Sequence, residues 1–209
     1  MSGTTSTIPG GVTSSGLTVS SGETLTVDSG GEIVSATVES GGSVIVVSGG
    51  VQSATTILSG GTETVSGSAT SDLIFGTLDT VSKVSGVFTS ETVENGGTFL
   101  LQNGNSAVGT TVLSGGLLVV SGADNQANNT VLSGGTLNLD SPKAVISGSL
   151  TFAGTGGTLE VSVLPTSSVD GDLAIASGFT STDKIDITAI TGFNSATTTL
   201  SETVVNGNT

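Results

Sequence analysis

The sequence predicts an all-β protein, a single-stranded parallel β-helix (β-solenoid) with about 19 residues per coil and an irregular C-terminal cap. Three observations carry this. The tripeptide Ser/Asn-Gly-Gly recurs at a nearly constant step. The segments between successive tripeptides are too short for helices, and they alternate aliphatic with small polar residues in the period of a strand.

The corners come first. Ser21 to Ser40, Ser40 to Ser59, Asn95 to Ser114 and Ser114 to Ser133 are each 19 residues apart. A second series, Ser29, Ser48, Ser66, Ser85, Asn103, Ser121 and Ser141, advances by 18 to 20. Each unit therefore holds two turns, separated alternately by about 8 and about 11 residues. One such unit cannot bury its apolar face alone, so stacking has to close the core. Gly-Gly after Ser or Asn suits a sharp corner, because Gly accepts positive φ and Ser or Asn can bond its own backbone.

The shorter strand follows each corner. Four and six residues past it stand Leu25 and Val27, Val44 and Val46, Phe99 and Leu101, Leu118 and Val120, and Leu137 and Leu139, all expected inside. Glu63 interrupts this pattern beside Val65 and predicts a locally altered coil over 62–86. There the step shortens to 18 and the Gly-Gly corner is lost near Gly76-Thr77. The longer segment ends in a Thr-aliphatic pair, predicting an inner aliphatic column and an outward threonine ladder of Thr18, Thr37, Thr56, Thr92, Thr111 and Thr130. Seven coils are expected between about residue 10 and residue 141.

The division is thus 1–141, solenoid repeats, and 142–209, irregular continuing coils followed by a cap. Short alternating strands at 150–152 and 159–163 continue the stack, whereas Pro165, Asp170-Gly171 and the stretch 179–193 depart from it. An open solenoid end needs covering, and this stretch is assigned that task.

Composition narrows the function. Ser, Thr, Gly and Val dominate; there is no Cys, His, Arg, Tyr or Trp, and the cations are Lys83, Lys143 and Lys184. A formal charge of −14 repels phosphate backbones and anionic lipid, so neither nucleic acid nor membrane insertion is expected. No run of about 18 apolar residues exists to span a bilayer. Disulfides, thiol nucleophiles and Cys-based zinc sites are excluded. The regular supply of Val and Leu separates the chain from a Gly/Ser-rich disordered linker. The opening residues 1–7 show no secretory n-region, and the last residues stop where a hairpin would return, so the chain reads as part of a longer secreted protein.

The pattern Thr37-Val38-Glu39-Ser40-Gly41-Gly42 running into Val46-Val47-Ser48-Gly49-Gly50 closely resembles the AIDA-type repeat of autotransporter adhesin passengers, over about residues 10–141. The resemblance implies a right-handed solenoid at the bacterial cell surface or secreted from it, acting in adhesion, self-association or biofilm. It implies receptors on host or bacterial cells, or a second copy, as partners. It also implies a glycosyltransferase acting on corner serines, here Ser29, Ser40, Ser48, Ser59, Ser114 and Ser133. The segment Asp183-Lys184-Ile185-Asp186 resembles D-x-I-D stretches near the end of large secreted repeat proteins.

Other chemistries fit less well. Polysaccharide-acting β-helices need a basic proton acceptor or clustered carboxylates. This chain lacks Arg and His, and its best acidic pairs, Asp170 with Asp172 and Asp183 with Asp186, sit in turns. A Ser/Lys nucleophile would have to come from Ser82 beside Lys83 or Ser141 near Lys143, both corner-like. No catalytic residue and no cofactor is expected. Calcium at Asp170-Gly171-Asp172 stays open, since the Gly-Gly-x-Gly-x-Asp nonapeptide is absent. An ice-binding face would want a second threonine file, and that file is broken at Ser43, Ile45, Leu117 and Val119. A passive stalk or secretion cargo carrying a separate functional domain is the alternative to an adhesin.

Overall fold

The computed structural model describes residues 3–80, 86–102, 104–122, 126–163 and 175–186. Over that span the chain winds as parallel coils, with three strands in each coil up to Thr111–Leu113. One face is a ten-stranded parallel sheet running from Thr4–Ile8 through Glu23–Val27, Ser43–Val46 and Thr62–Val65 to Lys184–Asp186. A second face stacks Thr13–Ser15, Glu32–Val34, Val51–Ser53, Ser68–Thr70, Val87–Thr89 and Ser106–Val108. A third stacks Thr18–Val19, Thr37–Val38, Thr56–Ile57, Leu73–Ile74, Thr92–Val93 and Thr111–Leu113.

Register follows the repeat. Leu25 faces Val44, Val27 faces Val46, Thr18 faces Thr37 and Thr37 faces Thr56, so like stands on like from coil to coil. The inward residues Val27, Val38, Val44, Val46, Ile57 and Leu118 are fully buried. Burying each such side chain contributes about 1.5–3 kcal/mol.

The glycine corners need their glycines for two separate reasons. In Glu39-Ser40-Gly41-Gly42 the Gly42 N–H donates to the Glu39 carbonyl at 2.8 Å, and Gly41 has φ +78°, the geometry of a type II turn. A side chain at Gly42 would instead lie 2.3 Å from the Val19 carbonyl oxygen of the neighbouring coil. The first Gly supplies backbone conformation, and the second supplies room for close stacking.

The first six coils also have a third corner, inside the eleven-residue segment. It is a single residue at positive φ, between 54° and 72°: Gly16, Ser35, Ala54, Ser71, Ser90 and Gly109. Such a φ is unfavourable for Ser or Ala. Its N–H nonetheless bonds regularly to the next coil, as from Ser35 to the Ser53 carbonyl at 2.8 Å.

The anomaly centred on Glu63 lies in coil length rather than in its strand. Thr62–Val65 pairs without slippage to Ser43–Val46 and to Thr77–Thr80. Thr77 stands 15 residues after its partner Thr62 and 21 before its partner Thr98. The Ser-Gly-Gly corner there is replaced by Phe75-Gly76, whose two N–H groups both bond the Ile57 carbonyl.

The parallel stack continues past residue 141. Gln126–Ser133 and Val145–Phe152 each run unbroken across two faces, and Thr158–Val161 pairs with Thr136–Asp140. Lys184–Asp186 adds a last strand on Thr158–Val161, so the Asp183–Asp186 motif is coil rather than cap. Phe179 meets Phe152 edge to face with ring centroids 5.1 Å apart. Ser82, Lys83, Asp170, Asp172 and the remainder of the expected cap lie outside the described residues.

Candidate functional site

Two features distinguish this solenoid from a plain rod: columns of hydroxyls outside, and a column of polar and acidic side chains inside. The outer column is set by the third face. Thr18, Thr37 and Thr56 are in direct register; Leu73 takes the next place, and Thr92 and Thr111 resume the file. Their side chains are exposed or half-buried.

Thr130 does not join them. Thr111 pairs with Val131 instead, and Thr130 is fully buried. The cause is a one-residue insertion. The second and third faces step by 20 here, Ser106 to Gln126 and Thr111 to Val131, while the ten-stranded face keeps 19 from Leu117 to Thr136. The strand Gln126–Ser133 absorbs the extra residue by running straight through. A one-residue shift in a strand reverses every side chain, so Thr130 turns inward and Val131 outward.

The corner serines Ser29, Ser40, Ser48, Ser59 and Ser114 are exposed, whereas Ser133 is half-buried within a strand. They also fix their neighbours: a Cβ at Gly49 would meet the Ser29 hydroxyl at 2.6 Å, and one at Gly60 would meet that of Ser40 at 2.6 Å.

The inner column was only partly flagged by the sequence. Leu17, Ala36, Thr55, Asp72, Glu91, Thr110 and Thr130 occupy equivalent places just past the third corner, as successive backbone bonds from the following residue to the preceding coil show. From Thr55 onward all are buried and all are polar. Gln52 joins them from the second face and Glu63 from the ten-stranded face, at 0% and 1% exposure.

Gln52, Thr55, Asp72 and Glu91 share one network. Asp72 Oδ1 accepts from the Thr55 N–H at 2.8 Å, and Asp72 Oδ2 accepts from Gln52 Nε2. Glu91 Oε2 accepts from the Asp72 N–H at 2.6 Å. Neither oxygen of Glu63 has a partner, nor do Glu91 Oε1 and the hydroxyls of Thr110 and Thr130.

Among the described residues, no lysine enters the cluster. Among the described lysines, Lys143 and Lys184 are exposed, and Lys184 pairs with Asp186 at the surface. Burial, followed by the charge of Asp72, pushes the Glu63 carboxyl well above its ordinary range, although the Gln52 amide pulls the other way. Burial raises Asp72 to about 7 against the opposing Thr55 and Gln52 hydrogen bonds. Burial and then the charge of Asp72 raise Glu91 to about 9. At neutral pH Glu91 therefore holds its proton, while Asp72 stands near the middle of its titration.

Asp183 behaves in the opposite way. Desolvation alone would raise it, but hydrogen bonds from the Thr180 N–H and hydroxyl and the Gly157 N–H lower it overall. It ties the last described strand to the Gly157 corner. Among the described residues, no three His, Cys, Asp or Glu side chains are grouped so as to hold a metal ion.

Ladder, corners and burial define the class: a three-sided parallel β-solenoid with a closed interior. No protein-family model matches the chain, and no curated protein does. Among solved structures, the crystal structure of a TibC-catalysed, hyperglycosylated TibA fragment aligns over 75% of this chain and 74% of that one, at 23% identity and a TM-score of 0.42.

Proposed function

We propose that this chain is a non-catalytic, adhesin-like structural module, secreted or displayed at a bacterial surface, that works as a rigid rod. The observation that carries the reading is the uninterrupted register of the ten-stranded face. Ten strands at about 4.8 Å spacing place the ends of one face roughly 40 Å apart. Along that length the outward side chains, hydroxyls at most positions with apolar groups between them, repeat at the strand spacing. A partner of matching periodicity, including a second copy, would bind through many weak contacts whose effects multiply. The AIDA-type pattern of corners supports the same assignment. The exposed corner serines Ser29, Ser40, Ser48, Ser59 and Ser114 are the positions a glycosyltransferase partner would reach.

The interior carboxyls do not favour an enzyme, because side chains at 0–1% exposure present nothing to a polymer substrate. Bacteria displaying the chain should clump with one another and with a second labelled strain, where bacteria displaying a scrambled version stay dispersed. A net charge of −14 opposes self-association, so clumping should strengthen as salt rises toward 0.15 M, where the Debye length is about 8 Å. A folded rod that causes no clumping at any salt would favour the passive stalk.

A further inference from the structure

We propose that Glu63, Asp72 and Glu91 form a proton-loaded core, and that loss of their protons above neutral pH loosens the coils between Val51 and Val93. The geometry leads to this. Asp72 and Glu91 stand one above the other in one interior column, and Glu63 reaches them across the same coil as Asp72 from the ten-stranded face, at 0%, 0% and 1% exposure. Glu63 stacks between Val44 and Leu78, which offer it nothing polar. Asp72 lies between Thr55 and Glu91, and Glu91 between Asp72 and Thr110. Among the described residues, the titratable groups facing any of the three are the other two.

Hydrogen bonding sets an order of ionisation. Asp72 accepts from Gln52 and Thr55, so it best tolerates a charge. At Glu63 the nearby Gln52 amide makes no well-formed hydrogen bond to either oxygen, and at Glu91 the Asp72 N–H donates to Oε2, with the Thr89 N–H also favouring the charged form, while Oε1 is unpartnered. A second charge in the cluster would meet the first in a buried interior, where like charges repel strongly.

The sign follows from linkage. An unfolded carboxyl titrates near 4, whereas folding raises Asp72 to about 7 and Glu91 to about 9. The folded chain therefore binds more protons than the unfolded one across that window. Stability from these groups is complete below about pH 4 and falls as pH rises through the folded values. The composition keeps the window clean: with no His and no Cys, only the α-amino group otherwise titrates between about pH 6 and pH 9.

The test is thermal unfolding of the full chain from pH 5.5 to pH 9, with calorimetry in buffers of different ionisation enthalpy. The wild-type midpoint should drop by about 10 °C or more over that range. Unfolding at pH 7 should release at least one proton. The variant E63Q/D72N/E91Q should keep its midpoint within about 2 °C. Should that variant fail to fold, Glu91→Gln alone should show a shallower slope than wild type. Unfolding of wild type that releases no proton would overturn the proposal, as would equal slopes in wild type and a folded variant. So would calcium or sodium restoring the pH 9 midpoint of wild type, since a cation rather than protons would then neutralise the core.

Discussion

Coils through 98–139 and coils through 51–93 share one backbone, yet they are filled differently. The later coils hold Phe99, Leu101, Leu118, Val120, Leu137 and Leu139 at the inward positions of the ten-stranded face, all buried. On that face the middle coils hold Glu63 beside Val65 and Leu78, and their other faces turn Gln52, Asp72 and Glu91 inward where the later coils turn Ala107, Thr110 and Thr130. The ladder does not change to accommodate them: Glu63 keeps register with Val44 before it and Leu78 after it. In a parallel solenoid the fold is specified by corners and backbone pairing, while the interior tunes stability coil by coil. The middle of the rod is therefore the part whose strength depends on solution conditions.

Substitutions can sharpen that contrast. Leu118→Ala empties a fully buried site between Phe99 and Leu137 and should destabilise by about 2–5 kcal/mol, with no dependence on pH between 6 and 9, as chemical denaturation at several pH values would show. Glu63→Leu acts in the opposite direction. It replaces an unpartnered buried carboxyl with the residue type found one repeat later at Leu78 and should stabilise by about 1–3 kcal/mol at pH 8, the gain shrinking in acid.

The two kinds of corner make a smaller contrast. Gly41→Ala imposes the left-handed φ of +78° on a residue with a Cβ and crowds Ser21 Oγ at 2.7 Å; the expected loss is about 1–2 kcal/mol in thermal melts. Ser90→Gly relieves the same kind of φ, 62°, and should leave stability unchanged or slightly higher. Thr92→Ala removes one rung of the outer ladder and should cost about 0.2–1 kcal/mol without altering the pH response.

Much of the fold is legible in the sequence because glycine marks two corners of every coil, and alternation then assigns the inward residues. The third corner is hidden, since its left-handed residues are Ser35, Ala54, Ser71 and Ser90, and neither Ser nor Ala signals positive φ. Counting by 19 failed at Thr130 because the inserted residue changes two faces while the Gly115 to Gly134 step stays at 19, so the glycine spacing gives no warning. Glu63 stood out as an acid at an inward position. Asp72 and Glu91 were equally readable: each lies two residues before an inward aliphatic, Ile74 and Val93, and in a strand that spacing places them on the same side. Overlooking that period left the interior cluster to the structure. The outer serines and threonines are so common in the sequence that only register could sort them into columns.

The most direct test of the contrast between the two regions is native-state amide hydrogen exchange of the intact chain at pH 6, 7, 8 and 9, corrected for intrinsic rates and resolved into peptides covering 51–93 and 98–139. The account predicts that protection in the 51–93 peptides falls steadily with pH, while the 98–139 peptides keep theirs. Protection that is flat in both regions, or that falls equally in both, would contradict it.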